Sequence, residues 1–239
     1  MSTTLRAVAK RLPRPLVSVL RSLRTAVRKR RYGFSYSQDF YERGYHDLLA
    51  DAGATTIDFW EQRGYRDRLM TVCDALDRHV DMGACRNGLE VACMYGKTAF
   101  WLGQRYPGLR VWGFDFAQRF VDAAKSANPL GDRFIAWQCD VTDIRRNEDR
   151  FDGFFDLVTC LDVTEHLPAG IYHAMLRELR RVTRIGGHLL LMQGNTVHVE
   201  HIHILPEEEL VADVEASGFT YLATLPERHH LFERRESGP

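Results

Sequence analysis

Glu90, Asp115 and Asp140 each stand at or near the end of a short apolar run, and the runs follow one another at a steady stride. They are Gly88-Leu89-Glu90-Val91, Val111-Trp112-Gly113-Phe114-Asp115 and Phe134-Ile135-Ala136-Trp137-Gln138-Cys139-Asp140. Each has the length and composition of a short buried strand. In an open parallel sheet, ligands bind in the crevice beyond the carboxyl ends of the strands. Three carboxylates on neighbouring strand ends line such a crevice with hydrogen-bond acceptors. That chemistry suits a ligand rich in hydroxyl and amino donors, such as a nucleoside carrying an amino-acid tail.

The elements that must hold these carboxylates follow from periodicity and breakers. Residues 34–52 are aromatic and polar and read as one or two short helices. Residues 57–80 read as one helix, with Trp60, Leu69, Val72, Leu76 and Val80 at helical spacing. A Gly/Asn loop spans 81–88. Strands then alternate with helices: strand 88–93, helix 97–105, strand 110–115, helix 117–127, strand 134–139, strand 155–161, helix 169–182 and strand 187–192. This alternation implies a parallel sheet with right-handed crossovers. A last helix starts at Pro206 with the acidic turn Glu207-Glu208-Glu209 and ends near Gly218. The runs 219–225 and 230–234 read as an antiparallel pair closing the sheet edge.

The chain has 239 residues, room for one sizeable α/β domain with an N-terminal extension. Five scattered cysteines, with no C-x-x-C pair, argue for reduced thiols in a cytoplasm and against a structural zinc site. No apolar run is long enough to span a bilayer, and the basic start lacks a signal-peptide core. Net charge is zero but unevenly spread. Residues 1–31 carry ten Lys/Arg and no acid, which leaves 22 basic residues against 32 acidic ones in the remainder. That arm is interrupted by Pro13 and Pro15. It reads as a flexible or docked basic arm, with peripheral membrane contact as a second use and an organelle presequence as a third.

Taken in order, the motifs resemble a class I S-adenosylmethionine (SAM)-dependent methyltransferase of the small-molecule type, over roughly residues 85–237. Glu90-Val91-Ala92-Cys93-Met94-Tyr95-Gly96 matches the acidic strand and glycine loop of that family. Asp115-Phe116 matches the second-strand acid, and Cys139-Asp140-Val141 the third-strand motif. The stretch from Phe155 to Leu167 matches the fourth, and Ile185-Gly186-Gly187-His188-Leu189-Leu190 the entry to the fifth strand. The resemblance implies a Rossmann-like, doubly wound, seven-stranded α/β sheet. It is mostly parallel, has an antiparallel last strand, and is preceded by N-terminal helices. It divides the chain into a basic arm (1–33), a helical cap or lid (34–82) and a SAM-binding domain (83–239).

Roles follow from the resemblance position by position. Asp115 is expected to accept the ribose hydroxyls and Asp140 the adenine amino group, with the Val141 backbone beside it. Phe116 is expected on the adenine face. Glu90 should fix the loop through backbone N–H groups. Ala92 and Gly96 should bring backbone close to the methionine portion, and Leu161 lies where the fourth strand opens onto the methyl group. His166, just past that strand, is the candidate base for an acceptor hydroxyl. The acceptor is expected to be a small molecule held under the lid, where Tyr36, Tyr41, Tyr45, Trp60, Arg63 and Tyr65 are available.

The loop departs from the family at Ala92 and Met94, where glycines are usual. Two other uses of the same site are therefore kept beside methyl transfer to oxygen, nitrogen or carbon. One is displacement on the amino-acid side of SAM; the other is a SAM-binding module without turnover. Gly96-Lys97-Thr98 is not a P-loop, because the required earlier glycine is Val91. No Asn/Asp-Pro-Pro-Tyr tetrapeptide follows the fourth strand, so nucleic acid is not the expected acceptor. The cluster His198-Val199-Glu200-His201-Ile202-His203 could bind metal with Glu165 and His166 nearby, but no metal is expected. The commoner reading is a substrate-side loop or strand edge, and the alternation allows His201 and His203 to face solvent with Ile202 and Ile204 packed inward.

Overall fold

The structure, a computed structural model, describes residues 37–147, 149–195 and 200–236. The readings of the 1–31 arm, Tyr36 and His198 fall outside them. Seven strands form one sheet in the order β3-β2-β1-β4-β5-β7-β6. They are β1 (Asn87–Val91), β2 (Arg110–Asp115), β3 (Phe134–Gln138), β4 (Phe155–Leu161), β5 (Thr183–Met192), β6 (Phe219–Leu225) and β7 (His229–Arg234). The first five pair in parallel, and β7 runs antiparallel to both β5 and β6. This is the expected mostly parallel, Rossmann-like sheet with the last strand reversed.

Alternate strand residues feed two cores. Leu89 and Val91 of β1, with Trp112 and Phe114 of β2, join one cluster; Val111 and Leu157 join the other. Both faces are therefore covered, as a parallel sheet requires. Helices α3 (Tyr65–Leu76), α4 (Lys97–Arg105) and α5 (Gln118–Ala127) contribute to one face. Helices α6 (Ala169–Val182) and α7 (Glu207–Ala216) cover the other. Order reverses between β1 and β4, so the switch point where such sheets bind ligands lies at their carboxyl ends.

The long helix expected over 57–80 is two helices. A one-turn α2 (Ile57–Glu61) ends before Gly64, which adopts a left-handed φ of 72° and caps α3. Helical periodicity continues across the break, but a residue in that conformation cannot propagate a right-handed helix. The chain before it forms a π-helical turn (Phe40–Tyr45) running into α1 (His46–Asp51). β5 also starts earlier than expected. Its register jumps between the pairs Phe155↔Thr183 and Leu157↔His188, a bulge that holds Gly186 at φ 70°. No helix among the described residues is long and apolar enough to cross a membrane.

The N-terminal helices are fastened to the sheet domain by a cap. Glu42 Oε1 accepts from the backbone N–H of Gln118 at 2.5 Å and Oε2 from that of Arg119 at 3.2 Å. These are first-turn amides of α5, whose own N-cap residue, Ala117, has no side-chain acceptor. A carboxylate there also meets the positive end of the helix dipole.

Candidate active site

A cavity of about 430 Å³ opens at the carboxyl ends of β1, β2 and β4 and is roofed by the N-terminal helices. Its size is in the range of small-molecule sites. Glu90, Ala92, Asp115, Phe116, Val141, Leu161 and His166 all line it. The structure thus brings together seven of the nine residues singled out in the sequence.

Asp115 is buried at the end of β2. Its Oδ1 accepts from Ala117 N–H at 3.0 Å and its Oδ2 from Met94 N–H at 2.9 Å. Burial pushes its carboxyl up to about 6, against the pull of these amides. Glu90 is also buried and is pushed up to about 7 by desolvation, partly offset by Lys97 and by Ala99 N–H. That amide donates to Oε2 at 2.8 Å. Glu90 therefore caps the first turn of α4, the helix that follows the loop, rather than bonding the loop itself.

The loop keeps a glycine-loop shape without the glycines. Ala92 has φ 53° and Met94 φ 45°, both left-handed. The cost is of order 1–2 kcal/mol for each non-glycine residue held there. Met94 lines the cavity and packs against the cluster formed by Leu49, Tyr95 and Phe120. Gly96 does not line the cavity. Its φ is 77°, and a Cβ there would lie 2.6 Å from Phe100 Cζ, so glycine is needed for the turn into α4.

Asp140 is the other residue outside the cavity lining. Its Oδ1 accepts from Thr142 N–H at 2.8 Å and from the Thr142 hydroxyl at 2.7 Å, a turn that seats Val141 on the cavity wall. The run of β3 ends at Gln138, so Asp140 is a turn residue rather than a strand end.

The N-terminal segment over the cavity contributes Tyr41, Tyr45, Phe59, Trp60 and Arg63. Tyr41 meets Phe116 edge-on at 6.3 Å, and Tyr45 meets His166 at 6.1 Å. Burial drives the Tyr45 hydroxyl well above its usual range, so it is a neutral donor. Lys97, at the first turn of α4, also faces the cavity and lies 5.4 Å from the Trp60 ring centroid. Sequence reading met Lys97 only as the tail of a P-loop lookalike, although its place after the loop was a usable signal.

The loop after β5 is turned the other way from the sequence expectation. Ile202 is 46% and Ile204 40% exposed, while the His201 side chain is only 9% exposed. The cause is backbone pairing: Glu165 C=O accepts from Ile202 N–H at 2.8 Å and from His203 N–H at 3.1 Å. This pins the loop against the short 3₁₀ turn Thr164–His166 and turns His201 inward, its ring centroid 4.8 Å from that of His166. Glu165 is fully buried, and burial followed by the charge of Asp162 pushes its carboxyl up to about 7.

Comparison with known proteins agrees with this architecture. Residues 89–187, under half of the chain, match the family model described as a methyltransferase domain. An O-methyltransferase family protein from Burkholderia thailandensis superposes with a TM-score of 0.56 at 16% identity, over 84% of this chain and 60% of that one. The cyclase SpnF superposes with a TM-score of 0.51 at 20% identity, over 58% of this chain and 52% of its own. Phosphoethanolamine N-methyltransferase 2 of Haemonchus contortus, solved with SAM, gives 0.50 at 17% identity, over 62% and 36%. The chain thus spans about half the length of SpnF and about a third of the Haemonchus enzyme. No curated protein sequence matches. Residues 89–187 thus resemble a methyltransferase domain, and the chain shares the fold of these solved structures.

Proposed function

We propose that this protein transfers a methyl group from SAM to an oxygen, nitrogen or carbon nucleophile of a small molecule held under the lid. The observation that carries the reading is the roofed cavity at the switch point, with the buried Asp115 carboxylate and the Phe116 and Val141 side chains on one wall. The acceptors fit the nucleoside's hydroxyl groups. Each Asp115 oxygen accepts one backbone N–H and has capacity to accept a ribose hydroxyl as well. Phe116 and Val141 offer apolar contact to the adenine. Lys97 and Arg63 are the cations available to a carboxylate.

Bound SAM supplies an electrophilic methyl on a sulfonium. The chain's own part is to orient the partners, exclude water and manage the acceptor's proton. Leu161 and His166 line the cavity beyond β4, and in this reading the acceptor sits beside them. An imidazole there can take a hydroxyl proton as the nucleophile forms. The lid aromatics provide flat, largely apolar walls for that acceptor.

The test is calorimetry with SAM, followed by mass analysis after incubation with panels of hydroxyl and amino acceptors. Acceptor-dependent S-adenosylhomocysteine is the expected product. Methylthioadenosine instead would move the reading to displacement on the amino-acid side. Absence of SAM binding would remove it.

A further inference from the structure

We infer that Glu165, His166 and His201 form a binding site for a divalent transition-metal cation on the acceptor side of the cavity. One donor atom from each residue lies within 4.8 Å of the others. His201 Nε2 is 4.0 Å from Glu165 Oε1. A shared ion would hold such donors about 3–3.5 Å apart, given metal–ligand bonds near 2.1 Å, so a small inward turn of the rings completes the set. Histidine spacing alone favours a substrate-side loop or strand edge over a metal site; the folded loop places His201 inward, beside Glu165 and His166.

The second observation is independent of the cluster's proximity. The Glu165 side chain has no exposure, and among the described residues its Oε2 has no hydrogen-bond partner. A buried carboxylate oxygen without a partner is costly unless something positive meets it. The position is also built rather than incidental. Oε1 accepts from Gly194 N–H at 2.9 Å, and a Cβ on Gly194 would come within 2.2 Å of that oxygen. Gln193 secures the loop, donating to the Thr164 hydroxyl at 3.1 Å and accepting from Leu205 N–H at 2.9 Å.

Two imidazoles and one carboxylate favour zinc, cobalt, iron or manganese over magnesium, which prefers oxygen donors. Three protein ligands leave open positions, and all three residues line the cavity. An acceptor hydroxyl can ligate there and lose its proton to solvent at a lower pH than when free. His166 then acts as a ligand instead of the base. The site itself does not depend on methyl transfer; only its link to the acceptor rests on that reading, and it narrows the acceptor to a molecule that offers a hydroxyl oxygen to the ion.

The test uses the full chain, stripped with chelator and titrated with Co²⁺, whose visible absorption reports imidazole ligation and whose displacement by Zn²⁺ can be followed. One equivalent should bind saturably. His201→Ala should weaken binding by more than about tenfold, since removing only a ligand's supporting partner already costs that much. Glu165→Gln should do the same, and His79→Ala, in the exposed turn after α3, should bind as wild type. His201 sits on a surface loop, and near-UV circular dichroism checks that its variant stays folded. No saturable Co²⁺ binding by wild type, or equal binding by folded His201→Ala, overturns the site. SAM titrated in parallel separates the two readings: Co²⁺ binding without SAM binding removes the methyltransferase assignment and keeps the metal site.

Discussion

The backbone N–H of Met94 donates to Asp115 Oδ2 at 2.9 Å, across a separation of 21 residues. The carboxylate assigned to the ribose therefore also fastens the loop assigned to the methionine portion. Asp115→Ala should release both. Each charge-assisted hydrogen bond lost contributes about 1.5–3 kcal/mol, so the Kd for SAM should rise by more than about tenfold. Calorimetry on the folded variant checks this, and an unchanged Kd would reject the placement.

The burial of Glu90 makes stability depend on pH in a stated direction. Its carboxyl is pushed up to about 7, against 4.5 as the ordinary value. Between those pH values the folded state holds a proton that the unfolded chain has released. The contribution is thus fully present below 4.5 and is lost as pH rises through 7. Glu90→Gln is neutral throughout and its amide oxygen can still accept from Ala99 N–H. Thermal melts should show a smaller fall in Tm from pH 5 to pH 8 in the variant than in wild type. Parallel curves would mean that Glu90 is ionised in the folded protein at low pH.

Most of the sheet was legible because buried parallel strands are short apolar runs set between helices, and Glu90, Asp115 and His166 fell where motif order put them. What escaped depended on contacts distant in sequence. The break at Gly64 lies inside an unbroken helical pattern, so periodicity alone could not reveal it. The inward turn of His201 is set by two hydrogen bonds to Glu165 C=O, more than thirty residues earlier. Alternation along 201–204 fixes which residues share a face but not which face is buried.

Glu42 is expected to control the lid. It supplies acceptors to two amides of α5 from a helix far away in sequence. Glu42→Ala leaves both amides without their side-chain partner, at a cost of about 1 kcal/mol, typical for loss of a helix cap. The core of the sheet domain does not use this residue, so Tm should fall only modestly. Hydrogen exchange should rise in residues 40–51, and SAM dissociation should quicken if the lid closes over it. Unchanged exchange in 40–51 would show that aromatic packing alone holds the lid.

The loop backbone, rather than its glycine content, is what the site requires, and position 92 can test this. Ala92 occupies φ 53°, a conformation open to glycine without strain. Ala92→Gly relieves that strain but adds freedom to the unfolded chain, which costs about 0.4–1 kcal/mol. The two effects oppose, so stability should change by less than about 1 kcal/mol, with SAM affinity retained. Ala92→Val keeps nearly the same polarity but places a branched Cβ at positive φ, where such residues are outliers. It should destabilise the protein by about 1–2 kcal/mol or flatten the loop and weaken SAM binding, because Met94 N–H would no longer reach Asp115. Denaturant melts and calorimetry on both variants decide it. If valine is tolerated as well as glycine, the left-handed turn at Ala92 is not what shapes the site.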